Sequence, residues 1–393
     1  NVWFYKEAKE LLPEGYTHPG SPNGEFTKEM DIMDVWFDSG TSHQGCCAVR
    51  DDLTYPADLY LEGSDQYRGW FNSSLITSVA VSGAAPYKEL VSAGFVMDGN
   101  GNKMSKSLGN VISPNDVGKQ LGAEIIRLWS ASVDYTQDVR ISNDILKQVS
   151  ETYRKIRNTY RFLLGNLFNG SFDNRKDLVE YADLEELDKY MMIKFEKVVA
   201  NVLDYYENYQ FNSITSELTN FFNVELSSFY LDYGKDILYI EGEDSSKRRS
   251  MLTVLYTILS KSVRLFAPIL SFTAEEIYDN MPYEDAESVH LLDFPEKNVI
   301  EDAVLEAKWD KLLEVRDDVN KALEESRNEK VIGKSLEAAV EIYSNDSEVV
   351  ELLNSVDNLH QLFIVSSVEV KENDGATYDL ATVKVTKAQG HRC

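Results

Sequence analysis

The spacing of apolar positions changes twice along the chain and divides its 393 residues into three parts. In residues 1–142 short apolar runs alternate with polar turns, the pattern of short strands mixed with helices. Leu90-Val91-Ser92-Ala93-Gly94-Phe95-Val96 reads as a short buried strand, and Leu59-Tyr60-Leu61 as a strand end running into Glu62, Gly63 and an amphipathic helix. Ser113-Pro114-Asn115-Asp116 predicts a helix start, with a capping hydroxyl and a proline in the first turn, where its missing N–H costs nothing. The opening stretch, residues 12–24, is rich in glycine and proline and reads as re-entry into a fold already begun.

From 143 to 300 the period lengthens to that of helices. Ile145, Val149, Tyr153, Ile156, Tyr160, Leu163 and Leu167 keep steps of three and four, one stripe of an amphipathic helix. Four more helical segments follow, near 183–208, 211–239, 247–266 and 273–280, separated by polar turns such as that at Asn169-Gly170-Ser171. Gly234, inside the third, predicts a stop or a weak point. Tyr205, Tyr206 and Tyr209 fit core and boundary packing at this spacing, with base stacking a second use. In the last part, 301–393, a helix from Leu312 to Ser326 precedes strand-like runs at Ala338–Tyr343, Leu362–Val365 and Thr382–Val385.

Composition narrows the class. With 43% hydrophobic and 27% charged residues the chain can bury several domain cores. No apolar run approaches the roughly 18 residues of a membrane span, and no secretory signal opens it. Three cysteines, of which Cys46 and Cys47 are adjacent, give no disulfide framework and fit a reducing cytoplasm; the pair reads as small buried hydrophobes. A net charge of −27 excludes general affinity for nucleic acid, so any polyanion site must concentrate its cations locally. Arg140, Lys147, Arg154, Lys155, Arg157 and Arg161 do so, outnumbering Asp144 and Glu151. They suit two readings equally, a phosphate-tracking face or a solvated face with i,i+4 pairs. Lys247-Arg248-Arg249 is explained by a helix start.

The run Lys103-Met104-Ser105-Lys106-Ser107 carries the chemistry. Two ammonium groups follow the turn-forming stretch Met97-Asp98-Gly99-Asn100-Gly101-Asn102, which permits left-handed backbone. A mobile cationic loop off a strand end suits a nucleotide polyphosphate, whose charge grows as a phosphoryl bond breaks; two lysines alone equally make a solvated turn. The string from Gly94 through Lys103-Met104-Ser105-Lys106-Ser107-Leu108-Gly109-Asn110 resembles the second signature of class I aminoacyl-tRNA synthetases, its five-residue core without a substitution. The resemblance implies a loop binding ATP through Met104, Ser105, Lys106 and Ser107, with Lys106 on the nucleotide and Lys103 assisting.

The upstream segment Leu59 to Leu75, including Trp70-Phe71-Asn72-Ser73-Ser74, resembles the isoleucyl-tRNA synthetases; valyl and leucyl relatives carry different residues there. This implies Glu62, Gly63, Asp65 and Gln66 around an aminoacyl-adenylate, and Trp36 and Trp70 as walls of an isoleucine pocket. Such walls sense shape, although one methylene is worth only about 1–3 kcal/mol. On the residues alone, both tryptophans also read as core aromatics and Glu62 as a helix cap. Tyr67 stands where that family often has His. Leu226–Asp232 and Phe266–Leu270 resemble the helical anticodon-binding domain of the isoleucyl, valyl and leucyl group, and residues 315–324 and 332–338 again resemble the isoleucyl enzymes.

The fold implied is a partial Rossmann-like α/β domain (1–142), a mainly α-helical anticodon-binding bundle (143–300) and a small α+β tail (301–393). Implied substrates are ATP with Mg²⁺, L-isoleucine and tRNA(Ile), handled by a cytoplasmic monomer without a membrane, with Lys147, Arg154, Arg157 and Arg161 as tRNA contacts. Two steps, adenylate formation and transfer to the terminal ribose, need no protein nucleophile. None of the five histidines forms the His-x-Gly-His motif of class I enzymes, and the editing insertion has no counterpart. The chain therefore reads as a C-terminal piece whose isolated form is inactive. Gly390-His391-Arg392-Cys393 resembles the start of a zinc module, but one cysteine cannot build a four-ligand site. No metal is predicted here, with zinc left to the longer parent. The competing readings are a non-catalytic tRNA-binding piece and a valyl- or leucyl-type synthetase.

Overall fold

A computed structural model describes residues 2–282, 286–372, 378 and 380–389. The chain separates into two compact units, one of residues 1–95 with 135–138 and the other of 96–134 with 139–393.

The first unit is built on a parallel strand pair. Helix α1 (Val35–Gly40) begins at Asp34, whose Oδ1 accepts from the Phe37 amide at 3.0 Å. Strand β1 (Ala57–Gly63) pairs with β2 (Tyr87–Ala93) in register Glu62 to Ser92 and Gly63 to Ala93, joined by helix α2 (Trp70–Ser82). Parallel neighbours need such a crossover. The single buried strand expected over Leu90–Val96 is instead interrupted and only half-buried. Gly94 breaks it because another stretch of backbone crosses there. A Cβ on Gly94 would stand 2.2 Å from the Gln137 carbonyl oxygen, while its amide donates to the Tyr135 carbonyl at 2.8 Å. The Cys46-Cys47 pair also departs from expectation. It lies in a wide π-turn, His43–Cys47, that leaves Cys46 exposed and Cys47 half-buried.

The second unit starts with two short parallel strands, β3 (Val96–Met97) and β4 (Val139–Arg140). Helix α3 (Pro114–Leu121) opens at the predicted cap, Ser113, and is followed by α4 (Ala123–Ser132). The long helices are α5 (Asn143–Leu167), α6 (Glu186–Glu207), α7 (Phe211–Asn220), α8 (Ser246–Phe266), α9 (Ser271–Asp279) and α10 (Ala303–Asn328). After α7 the chain continues as a π-helix, Phe221–Tyr230, and then as two short helical pieces on either side of Gly234. A Cβ there would fall 1.8 Å from Met251 Cε, so the glycine admits a core methionine rather than merely weakening a helix.

The predicted stripe on α5 supplies Ile156, Tyr160, Leu163 and Leu167 to a core that runs through Phe195, Phe222 and Leu259 to Val319 and Ile342. Tyr206 packs as a boundary residue, its hydroxyl donating to the Leu265 carbonyl at 2.8 Å. A smaller core joins Val117, Ile125, Trp129, Ile141 and Leu146. Helix α4 serves both. It sends Leu128 into the large core and Ile125 and Trp129 into the small one. Its Arg127 donates to the carbonyls of Ile269 (2.8 Å) and Pro268 (2.7 Å) and to Ser271 Oγ (3.0 Å), and Glu124 accepts from the Phe272 amide at 3.1 Å.

Two expectations for the last part change. Its helix begins at Ala303 rather than Leu312, because Asp302 caps it (Leu305 amide to Oδ1, 3.0 Å) and Leu305 and Trp309 are buried. The apolar run Leu362–Val365 is not a strand: Leu359–Phe363 is helical and Ile364 turns left-handed at φ +57°. A short apolar run cannot by itself distinguish a buried helix from a strand. The strand is β6 (Ser367–Glu372), parallel to β5 (Ala338–Ser344), with β7 (Thr382–Lys387) antiparallel on the other side. Asp318, fully buried, fastens this sheet by accepting from the Leu380 and Ala381 amides at 2.8 and 3.2 Å. No described helix is long and apolar enough to cross a membrane.

Asp188, in the first turn of α6, is a buried carboxylate. It accepts from the Tyr230 hydroxyl and from Ser250 Oγ, both at 2.5 Å. Burial lifts its carboxyl to about 6, against the opposing pull of those hydrogen bonds. The unfolded chain titrates it near about 3.9, so between these values the native state holds the extra proton. Stability from this group is therefore greatest below about pH 4 and declines as pH rises through 6. Relative to Asp188→Asn, the wild type should lose up to about 3 kcal/mol of unfolding free energy across that window, measured by urea titration at fixed pH values. Gly234→Ala should cost about 1–3 kcal/mol by overpacking against Met251, read in the same titration at constant pH.

Candidate active-site elements

The first group of predicted residues lies at the carboxyl end of β1, where open α/β sheets place ligand groups. Glu62 closes the strand, and Ser64–Arg68 forms a 3₁₀ turn carrying Asp65 and Gln66. Glu62 does not cap the following helix. Gln66 does, its Oε1 accepting from the Trp70 amide at 2.9 Å, with its Nε2 3.4 Å from Asp65 Oδ2. Glu62 and Asp65 are exposed. Gly63 admits Asp65, whose Oδ1 would stand 2.9 Å from a Cβ there.

The two predicted tryptophans differ. Trp70 is half-buried, stacked on Tyr60 at 4.3 Å between centroids, and its indole N–H donates to the Ser39 carbonyl at 2.9 Å. That bond straps α1 to α2. Trp36 keeps 48% of its surface exposed. Its ring edge lies over Gly69, where a Cβ would stand 2.8 Å from Trp36 Cη2 and 2.6 Å from Gln66 Oε1. Gly69 thus seats the aromatic wall and the cap together. Tyr67 is exposed and meets Phe71 edge-on. His43, outside every motif, is buried, with Nε2 3.4 Å from Thr77 Oγ1 and no partner for Nδ1. Burial lowers its imidazole below the usual value.

The second group is the lysine loop, which is an ordered lasso. Met97 forms an antiparallel bridge with Lys103, and the Asp98 amide donates to the Asn102 carbonyl at 2.9 Å. Met104 points inward and packs on the small core of Val117, Ile125 and Trp129. Lys103, Lys106 and Ser107 are exposed, and Ser105 Oγ lies 3.1 Å from Ser107 Oγ. Gly109, at φ +65°, closes the turn by donating to the Lys106 carbonyl at 3.3 Å. The inward methionine and outward lysines alternate as a surface loop with one apolar foot requires.

On the basic helix α5, Lys147 pairs with Asp144 (3.5 Å), Arg154 with Glu151 (2.9 Å) and Arg157 with Glu276 of α9 (3.3 Å), while Arg161 is exposed. The first two are i,i+3 pairs rather than the i,i+4 pairs expected. Exposed pairs of this kind contribute at most about 1 kcal/mol, little enough for a phosphate to compete. Among the described residues no three His, Cys, Asp or Glu side chains stand together as metal ligands. His391 and Cys393 lie outside the described residues.

Residues 1–142 match the family tRNA synthetases class I (I, L, M and V), and residues 188–342 match the anticodon-binding domain of tRNA ligase. The whole chain is 59% identical to the isoleucine–tRNA ligase of Macrococcus caseolyticus and 58% identical to those of Staphylococcus carnosus and Staphylococcus aureus. It spans 43% of the length of each of these relatives. Among solved structures it resembles a LeuRS from Agrobacterium radiobacter in a ternary complex with tRNA and LeuAMS (TM-score 0.55, 16% identity, 88% of this chain and 42% of the other). It also resembles a methionyl-tRNA synthetase from Mycobacterium tuberculosis bound to methionyl-adenylate (TM-score 0.51, 18% identity, 66% and 51%). These two likenesses concern the fold.

Gly69→Ala is expected to push Trp36 aside and unseat Gln66 from the Trp70 amide. Of the five indole N–H resonances in a two-dimensional NMR spectrum, those of Trp36 and Trp70 should shift while those of Trp129 and Trp309 stay in place.

Proposed function

This chain belongs to the class I tRNA synthetases, and on that premise we propose that it is the part of an isoleucine–tRNA ligase that supplies the lysine loop and the anticodon-binding helices. The observation that carries this reading is the lasso itself: Met104 is anchored below while Lys103 and Lys106 face solvent beside the polar rim of Ser105 and Ser107. Similarity to isoleucine–tRNA ligases along the whole of this chain supports the choice of amino acid over the valyl and leucyl alternatives.

In the reaction proposed, a carboxylate oxygen of isoleucine attacks the α-phosphorus of ATP. The bond from that phosphorus to the bridging oxygen breaks, and pyrophosphate leaves with the electron pair. Lys106, assisted by Lys103, stabilises the charge that accumulates on the leaving group, and Mg²⁺ arrives with the nucleotide as part of the substrate. A terminal ribose hydroxyl of tRNA(Ile) then attacks the acyl carbon and AMP departs. Glu62, Gly63, Asp65 and Gln66 are assigned to the adenylate. Trp36, with its exposed ring, is assigned to the isoleucine side chain, and Trp70 to the same wall from behind. Catalysis rests on positioning and charge rather than on a protein nucleophile. Lys147, Arg154, Arg157 and Arg161 are assigned to tRNA phosphates, within a cytoplasmic monomer divided at about residues 142 and 300.

The isolated chain is expected to give no isoleucine-dependent exchange of pyrophosphate into ATP above background, and robust exchange would overturn its reading as an incomplete site. In a full-length ligase containing this chain, Lys106→Ala should lower kcat for that exchange by about 10²–10³. Isoleucine binding, followed by equilibrium dialysis, should change little. An unchanged kcat would remove the loop from the reaction.

A further inference from the structure

The lasso is closed by two residues that no motif assignment explains. Asp98 stands one position beyond β3, where the chain leaves the strand. Its Oδ1 accepts from the amides of Asn100 (2.9 Å) and Asn102 (2.8 Å), and its Oδ2 accepts from Asn110 Nδ2 at 2.9 Å and from Asn102 Nδ2 at 3.5 Å. Asn110, at the far end of the loop, uses its amide in both directions. Its Oδ1 accepts from the Ser105 amide at 2.9 Å, and its Nδ2 also donates to the Lys103 carbonyl at 3.3 Å. The ring so closed contains both lysines, and it grips the backbone on each side of Met104. With the methionine anchored below, the direction of the chain from Lys103 to Lys106 is set by these contacts. A charged acceptor makes the strongest such bonds, and the amide donors around Asp98 hold its carboxyl below the usual carboxylate range, Asn110 foremost.

We propose that Asp98 and Asn110 form a carboxylate–amide clasp that holds the lysine loop shut, and that Asp98 is through it a positioning residue for lysines that meet a polyphosphate. The second half rests on the function proposed for Lys103 and Lys106. Complementarity at the clasp is directional, since a carboxylate only accepts and an amide nitrogen only donates. Asp98→Asn therefore allows a donor to face a donor, and Asn110→Asp sets two carboxylates against each other. The exchange Asp98→Asn with Asn110→Asp restores one donor facing one acceptor.

Trypsin cleavage of the 393-residue chain after Lys103 and Lys106 reads loop opening, because cleavage follows the open population when closing is fast. Each single variant should be cut about tenfold or more faster than the wild type at these two bonds, and the double variant should return most of the way to the wild-type rate. Thermal unfolding followed by far-ultraviolet circular dichroism should show all four proteins folded at the assay temperature. Cleavage of Asp98→Asn at the wild-type rate, or a double variant no slower than the singles, overturns the clasp. Repeating the digestion over a series of MgATP concentrations on a full-length ligase containing this chain, wild type against Asp98→Asn, tests positioning. The wild type should be protected, and Asp98→Asn should need about tenfold more nucleotide for half-protection. Equal half-protection in both overturns the positioning role. An unprotected wild type would instead refute the nucleotide reading of the loop, with the clasp still judged by the rates without nucleotide.

Discussion

Helix α4 is claimed by two cores at once, and the second unit is organised around that claim. Leu128 on one side closes the large helical core, while Ile125 and Trp129 on another close the small core on which Met104 rests. A side chain buried this way is worth roughly 1.5–3 kcal/mol, so neither contact yields without loss. Arg127 and Glu124 add polar bonds to the turn between α8 and α9, three of them donated by a single guanidinium. An arginine whose donors are spent on backbone carbonyls has a fixed geometry that lysine could not reproduce. The small core beneath the lysine loop therefore inherits the rigidity of the helical bundle.

The polar interior follows a similar economy. Asp188, Asp318 and Glu196 are all buried, and each has acquired partners from sequence-distant segments: Tyr230 and Ser250, the amides of Leu380 and Ala381, and Lys261 at 2.5 Å. Buried groups of this kind are costly when unpaired and add specificity when satisfied. They decide which helix faces which, a choice that apolar stripes alone leave loose. The surface behaves differently. Its carboxylates far outnumber its cations, and those on α5 and α9 occupy the basic side chains of α5 by day-to-day ion pairing that salt or a polyanion can undo.

Much of this was legible in the residues. The steps of three and four from Ile145 to Leu167 gave α5 nearly to its ends. Of the five helical segments of the middle region four formed as α-helices, while the third is divided into α7, a π-helix and two short pieces. The lysine motif was legible as a string, and Ser113 and Pro114 as a helix start. What escaped depends on contacts between distant positions. Leu362 and Phe363 are apolar in either conformation, and only burial against the helices made them helical. Gly94 was read as part of a continuous strand and Gly234 as local punctuation, but they answer to Gln137 and Met251. Asp98 was visible in a turn-forming stretch and Asn110 as the end of the lysine string, while their mutual bond spans twelve residues and has no periodic signature. Gln66, not Glu62, capped α2, since the 3₁₀ turn carried the amide round to the helix start.

The π-helix at Phe221–Tyr230 sets the rotational phase of everything after it. An α-helix advances about 100° per residue, whereas the wider π-turn holds more residues in each revolution. Phe221, Phe222, Leu226 and Tyr230 are all buried along this stretch, and the last of them brings its hydroxyl to Asp188. A single-residue deletion that returned the segment to ordinary α-geometry would swing Tyr230 about a quarter-turn out of phase. It would leave the carboxylate without one of its two hydroxyl donors. Chain length in this stretch is consequently as constrained as residue identity, and insertions or deletions should be tolerated in the neighbouring turns long before they are tolerated here.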